Sequence, residues 1–520
     1  MDTTSDIFNK IPRESVSALF ERAASLYGPS PLILFDDNSS LSYSDASALA
    51  HEVAGRLQAA GVGKGERVVS VSAASAEAAL VFWASMLAGS VFVSVDSTTQ
   101  PDKLTRILKS IGPKIVFTST ESAFKRALEG IKSVSYSSDS SGHEYGSVRF
   151  HEFLEGGSGE YRPEPVSSSD DAVVLFTSGT SGEPNGIVLS HGALAGSGHL
   201  LAGTYEWGPE DRVLSTGDFH TMSGLRNPLV AALCAGASFI IAPQAARASG
   251  PACSVLMEKL GATILCTVPA FLAQFTRFQE KISNGFTSRL RFVMCTGTNL
   301  PGAVAEEFEE RYKKSVLNYY GLTETAGLCI GVIPGMKIGS GAIGVPLGCS
   351  VKIAGPDNRE VNDGETGELF IRSERLMSGY YQDRDATERA IVDGWFRTKD
   401  FCRKRPDGSI ELLGRVDDAF KDMRGELVHP SEIEKVLEGF PLVLEAAVCG
   451  FDAEDGRPAA AAFVVARVNG ADEKSMANEL RRQALAVLGP YRTPAVFRFV
   501  DSLPRGTNGK ILRRKLRETL

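Results

Sequence analysis

The 520 residues contain no C-x-x-C pair, no H-E-x-x-H and no G-x-S-x-G, so neither a zinc-binding knuckle, a zinc protease nor an α/β-hydrolase nucleophile is expected. Tryptophan (three) and histidine (seven) are scarce. Eight cysteines lie far apart along the chain, the usage of scattered core thiols in a reducing compartment, and a cytoplasmic protein is expected. No concentrated basic face accompanies the formal net charge of −8, which argues against nucleic acid or a membrane surface as partner. Residues 1–13 carry Asp2, Asp6 and Lys10 and no apolar run, unlike a secretory signal. The most apolar stretch, 78–95, is interrupted by Ser85, Gly89 and Ser90; it reads as a buried helix running into a strand, with no integral membrane association.

With 43% apolar and 23% charged residues, the composition is that of a globular chain, and the length calls for at least two domains. Ser44 is placed to cap a helix to Ala60, with Leu49, Val53 and Leu57 on one face, before a strand over 67–71. Helix followed by apolar strand recurs through 75–95, 101–118, 192–201 and 255–268, the rhythm of mostly parallel sheets with helices. Residues 135–169, rich in Ser, Gly and Glu, read as an exposed connection. From 344 to 413 the pattern changes to short strands and turns, a small β subdomain. A new α+β pattern starts after Gly414, with Ser431-Glu432-Ile433-Glu434 as a capping box. The expected architecture is therefore an α/β N-terminal domain over 1–415, including the β subdomain, followed by a small α+β domain over 416–520.

Chemistry concentrates in Phe176-Thr177-Ser178-Gly179-Thr180-Ser181-Gly182-Glu183-Pro184-Asn185-Gly186. An apolar strand over 172–176 delivers a loop of glycines and hydroxyls able to turn N–H and O–H groups toward an anion. It is not a Walker loop, because no Gly-Lys-Ser/Thr follows. Gly339-Ser340-Gly341-Ala342-Ile343-Gly344 fits a dinucleotide pattern, but Pro346 follows and a strand replaces the required helix.

The loop resembles the phosphate loop of the adenylate-forming superfamily of acyl-CoA synthetases, adenylation domains and firefly-type luciferases. Four further segments resemble that family in its order: Asn318-Tyr319-Tyr320-Gly321-Leu322-Thr323-Glu324, Gly394-Trp395-Phe396-Arg397-Thr398-Lys399-Asp400, Gly414-Arg415-Val416-Asp417-Asp418 and Pro504-Arg505-Gly506-Thr507-Asn508-Gly509-Lys510. The resemblance implies ATP-dependent conversion of a small carboxylic acid to acyl-AMP, then acyl transfer to CoA. It implies Mg²⁺ on Glu324 and a Thr323 hydroxyl at the α-phosphate. Nucleotide contacts would come from Thr177, Ser178, Gly179, Thr180, Ser181, Gly182, Asn318, Tyr319, Tyr320, Gly321, Asp400 and Arg415. Lys510 would bridge carboxylate and α-phosphate, Asp417 would be the hinge of a mobile C-terminal domain, and Gly425 would line the thiol tunnel. Such a cluster of cations suits the chemistry, since an anionic carboxylate must attack an anionic phosphate.

The chain departs from the family pattern at three places. Asn185 stands where the phosphate loop usually has Lys, Lys399 replaces the glycine of Thr-Gly-Asp, and residues 421–425 look one residue longer than usual. The acid site, expected around His220, Ser223 and Thr298, has Ser223 where amino-acid-activating domains place Asp, which favours an acid without an amine. Met222, Leu225, Met294 and Cys295 suggest a largely apolar pocket for a fatty, polyketide-like or aryl acid. An acyl-AMP ligase that stops at the adenylate or loads a separate acyl carrier protein is one alternative. A non-catalytic nucleotide- or acyl-binding protein is another, against which stands the presence of Glu324, Asp400, Arg415 and Lys510 together.

Overall fold

The computed structural model describes residues 11–119, 124, 127–136, 148–156, 159–178, 184–339, 341–453, 456–467, 472–505 and 511–520. Runs such as Val91–Val95, apolar at nearly every position and buried throughout, are what a parallel strand covered on both faces requires. It lies at the centre of a sheet of eight strands among the described residues. Arg67–Val71, Ile115–Thr118, Ser133–Ser135 and Val148–Arg149 follow on one side, all parallel. On the other side Asp171–Ser178 pairs parallel with it and turns back antiparallel as Pro184–Ser190.

A second sheet, of fourteen strands among the described residues, is parallel through one half except for the antiparallel edge pair Pro31–Leu34 and Ser40–Ser42, and antiparallel through the other half. The change happens within one strand, Ser315–Leu322. Its first half pairs parallel with Phe292–Cys295, while its second half pairs antiparallel with Gly327–Gly331. Beyond lie the short antiparallel strands Ala342–Pro346, Ser350–Ala354, Thr366–Arg372, Trp395–Lys404 and Ile410–Arg415, the expected β subdomain.

Helices fill the space around these sheets. Ala76–Leu87 is buried from Ala78 onward; Trp83 stacks on Phe20 at 5.0 Å and donates its indole N–H to the Leu229 carbonyl at 3.1 Å. The most apolar stretch of the sequence is thus an interior helix, and no helix among the described residues is long and apolar enough to cross a membrane. The last hundred residues form their own sheet, Val443–Asp452, Pro458–Ala466 and Val496–Phe499, with helices Pro430–Glu438 and Glu473–Leu488 over a separate core of Val428, Ile433, Leu437, Val448, Ala462 and Leu480.

Three local expectations are corrected. The cap of the helix Tyr43–Ala59 is Ser42, not Ser44: its Oγ accepts from Asp45 N at 3.1 Å, and Tyr43 enters the helix because its hydroxyl reaches the Ala237 carbonyl at 2.8 Å. Ser431 does not cap either, since the following helix starts at Pro430, whose ring presets the helical φ. Ser431 instead donates to the Leu413 carbonyl, and Glu434 accepts from Val448 N and Arg513, tying helix, strand and C-terminal helix together. Finally, the Ser/Gly-rich connection contains sheet strands and the helix Phe150–Glu155, because Phe150 and Phe153 pack edge-on against Phe117. Two aromatic anchors outweigh a polar composition.

Candidate active site

The strand that changes partners delivers its last residues to the wall of a cleft of about 950 Å³. Gly321 is demanded by that arrangement: a Cβ there would press on the Gly327 carbonyl of the returning strand. Next comes a single 3₁₀ turn, Thr323–Thr325. Thr325 Oγ1 accepts from Leu322 N at 3.1 Å and lies 2.9 Å from Gly327 O, which locks the turn while Thr323 and Glu324 line the cleft. Tyr380 donates to Glu324 Oε1 at 3.4 Å. Burial, then the nearby Glu324 charge, push the Tyr380 phenol up, so it remains a donor.

The opposite wall comes from the β subdomain and the start of the C-terminal part. Asp400 is buried; its Oδ2 accepts from the Tyr320 hydroxyl at 2.5 Å and its Oδ1 from Arg415 Nη1 at 3.0 Å. Arg415 also donates to the Thr398 carbonyl and lines the cleft. Burial alone would lower Arg415, but Asp400 outweighs it and holds the guanidinium above its ordinary range. Tyr320 is therefore fixed as a prop for Asp400, with its ring beside Cys329 and Cys349. Lys399 adopts φ +58°, the left-handed conformation that explains a glycine preference at this position. Its Nζ lies 3.8 Å from Asp417 Oδ2, and both residues line the cleft.

Of the phosphate loop, Thr177 and Ser178 end the strand Asp171–Ser178, and Asn185 pairs with Thr177 from the returning strand, exposed on the cleft. Gly179, Thr180, Ser181 and Gly182 lie outside the described residues, as does Lys510. The flanking residues Arg505 and Ile511 pair with each other, and Arg505 lines the cleft. Gly425 sits elsewhere, in an exposed turn at φ +81° with open space around it. That turn is closed by the buried Asp422 carboxylate, which accepts from Arg424 N and Glu426 N.

Of the residues expected to meet the acid, Met222, Ser223 and His220 are on the wall. His220 is half-buried, with both ring nitrogens enclosed and unbonded, Nε2 standing 3.7 Å from Asp96, and desolvation lowers its pKa. The expected apolar lining is corrected: Leu225, Met294 and Cys295 are sealed in the core, and Thr298 is not on the wall. Strand alternation sends Met294 into one core cluster and Cys295 into another. In their place stand Arg226, Asn227, Cys266, Thr267, Val268 and Phe271, a lining of mixed polarity. Asn318 contributes its backbone, accepting from Val332 N, and Tyr319 points to Arg226 at 3.0 Å. Sequence reasoning missed Arg226 and Asn227. A usable signal existed, since Arg226 is the only Asp, Glu, Lys or Arg between His220 and Arg247.

The geometry and the sequence comparisons converge. Residues 20–381 match the family model of the AMP-binding enzyme and residues 432–510 that of the AMP-binding enzyme C-terminal domain; the chain belongs to the AMP-binding enzyme family. It is similar to the sulfoacetate–CoA ligase of Cupriavidus necator, 30% identical with 97% of each chain covered. The fatty acid–[acyl-carrier-protein] ligase ScoC of Streptomyces coeruleorubidus is 28% identical, with 94% and 93% covered. Among solved structures, a benzoate CoA ligase from Burkholderia xenovorans LB400 superposes with a TM-score of 0.85 at 25% identity, covering 97% of this chain and 100% of that one.

Proposed function

We propose that this enzyme activates a carboxylic acid with ATP and transfers the acyl group to the thiol of CoA. In the first half-reaction an oxygen of the acid's carboxylate bonds to the α-phosphorus and pyrophosphate leaves. In the second, the thiol sulfur bonds to the acyl carbon, AMP leaves, and the thiol proton passes to solvent. The observation that carries the reading is convergence: Thr323 and Glu324, Arg415 backed by Asp400, and Arg505 at the base of the Lys510 segment all meet one cleft.

The roles follow from donor chemistry. Arg415 and Lys510 supply the positive charge that the attack of one anion on another requires. Asp400 spends one lone pair on Tyr320 and one on Arg415, and its remaining acceptor sites suit ribose hydroxyls. Among the described residues no group of three or more His, Cys, Asp or Glu forms a metal cage. The Glu324 carboxylate would hold magnesium, a hard cation that would supply positive charge to the phosphates. Asn185 offers the outer phosphates a neutral donor in place of a cation.

The C-terminal part over 416–520 then turns about Asp417, exchanging the Lys510 side for the Gly425 side. Support comes from placement, since Arg505 lines the cleft here while Gly425 lies in an exposed turn away from it. One rigid arrangement cannot offer both. Similarity to ScoC favours a second reading of the acceptor, a phosphopantetheine carrier protein from another chain. Pyrophosphate release should be stimulated by a subset of carboxylic acids, and thioester should appear on adding CoA. Release without thioester on CoA, but with acylation of a carrier, would replace the first acceptor by the second. Release with no acid at all would refute the function.

A further inference from the structure

Arg226 is fully buried on the acid side of the cleft. A guanidinium without water is strongly unfavourable unless an anion meets it. Here its partners are neutral: Nε and Nη2 donate to Asn227 Oδ1 at 3.0 and 2.8 Å, Nη2 to the Tyr319 hydroxyl at 3.0 Å, and Nη1 to Ser197 Oγ at 3.3 Å. Among the described residues no carboxylate stands at ion-pair distance from it. Five N–H groups against these four contacts leave one Nη1 hydrogen over.

The surroundings do not supply the missing charge. Arg375, also buried, donates only to the backbone carbonyls of Leu347 and Gly348, and its Nε has no acceptor. It is depressed by burial and, further down, by Arg226 itself. Asn227 Nδ2 is buried without an acceptor. The Tyr319 phenol, raised by burial, stays protonated. The hydrogen-bond partners of Arg226 are thus all neutral: Asn227, Tyr319 and Ser197.

The backbone is arranged to present it. The helix Met222–Arg226 passes into a π-helical turn, Asn227–Ala231, that includes Pro228. Such turns insert one residue into a helix and are frequent at functional sites. Opposite, Gly327 gives the guanidinium its room, because a Cβ there would collide with Arg226 Nη1.

We propose that the acid activated by this enzyme carries a second anionic group, a carboxylate or a sulfonate, which Arg226 and Asn227 hold while the reacting carboxylate faces Thr323 and Arg415. The inference rests on the acid-activating function above and names its substrate class. An anion at this wall meets a guanidinium already desolvated and oriented, so binding it carries no further cost of burying Arg226.

The test is pyrophosphate release with length-matched acids: propanoate against malonate and sulfoacetate, butanoate against succinate and 3-sulfopropanoate, pentanoate against glutarate, and benzoate against terephthalate. The wild type should favour the dianionic member of at least one set by about 10²-fold in kcat/KM, the value of a charge-assisted contact. Arg226→Met should erase that ratio and Arg226→Lys restore part of it. Asn227→Asp is the second variant: it gives Arg226 an internal carboxylate on an oxygen that already accepts its bonds, so the fold is kept while the preference for dianions is lost. A wild type that favours the monoanionic member in every set overturns the inference, as does a ratio unmoved by both Arg226→Met and Asn227→Asp. Release with monoanionic acids only would leave the adenylating function standing while refuting the second anion; release stimulated by none of the acids would refute the adenylating function itself.

Discussion

Gly321→Ala adds one methyl group where two strands nearly touch. A Cβ built on Gly321 falls within 3 Å of three backbone atoms: Gly327 O, Gly327 C and, at 2.9 Å, Leu328 N. None of these can rotate away as a side-chain end would, so the antiparallel pair must open by roughly 1 Å to reach ordinary contact. Overpacking of this kind destabilises by about 1–3 kcal/mol. Separation also strains the Leu322–Gly327 pairing and the Thr325 hydroxyl that staples the turn. Thr323 and Glu324 ride on that turn, and a displacement of about 1 Å at reacting groups is worth roughly 10²-fold in rate. The expected outcome is a lowered melting temperature and a loss of about 10²-fold in kcat for pyrophosphate release. Gly425→Ala is the control: that residue has a positive φ but open space around it, so it should cost only about 1 kcal/mol of backbone strain. If Gly321→Ala melted with the wild type and released pyrophosphate at the wild-type rate, the close approach of the strands would not be what holds the turn.

Asn185→Lys should lower the KM for ATP by about tenfold, the margin of a charged over a neutral hydrogen bond; an unchanged or raised KM would show that Asn185 does not face the outer phosphates. Lys510→Ala should reduce adenylate formation by about 10²–10³-fold while thioester formation from supplied acyl-AMP persists, and Gly425→Leu should do the reverse. Equal damage to both half-reactions in both variants would refute the alternating C-terminal part. His191, held by burial at a pKa of about 4 against an ordinary 6.5, accepts from Val16 N on Nδ1 at 3.3 Å, so protonation there breaks the bond. A depressed folded-state pKa contributes stability above pH 6.5 that is lost as pH falls toward 4, on the order of 3 kcal/mol. Glu438 runs the opposite way: burial first, then Glu434, raise it to about 7, so its part of the chain loses stability as pH rises from 4.5 through 7. Hydrogen exchange should show acid loosening around 16 and 191 and alkaline loosening around 438, and a His191→Gln variant with the same acid-side loss would refute the first assignment.

The order of elements was legible because periodicity and turn residues are local properties. The strand 67–71 and the helix-to-strand stretch 78–95 lie where alternation and apolar runs put them. Caps were misread where a distant partner decided the matter. Ser44 and Ser431 are each plausible from their own neighbours, yet Tyr43 reaching Ala237 and Ser431 reaching Leu413 moved both helix starts. The polar stretch 135–169 concealed Phe150 and Phe153 for the same reason, since their packing surface on Phe117 lies 33 and 36 residues earlier in the chain.

The sequence by itself determined the reaction class. Motifs such as Thr323-Glu324 and Gly414-Arg415 are contiguous, so their resemblance to the adenylate-forming superfamily, and the reaction class it implies, is legible without the fold. What only the tertiary structure decided is the acid end of the cleft. Whether Met294 or Cys295 faces a pocket or a core depends on what packs against each face of its strand, and both proved buried. Whether Arg226 is solvated or stranded depends on Ser197 in one helix and on Tyr319 and Gly327 in a strand pair more than a hundred residues later. A charge in a sequence carries no burial with it; desolvation is a property of the assembled walls, and it is desolvation without a counter-charge that gives this arginine something to bind.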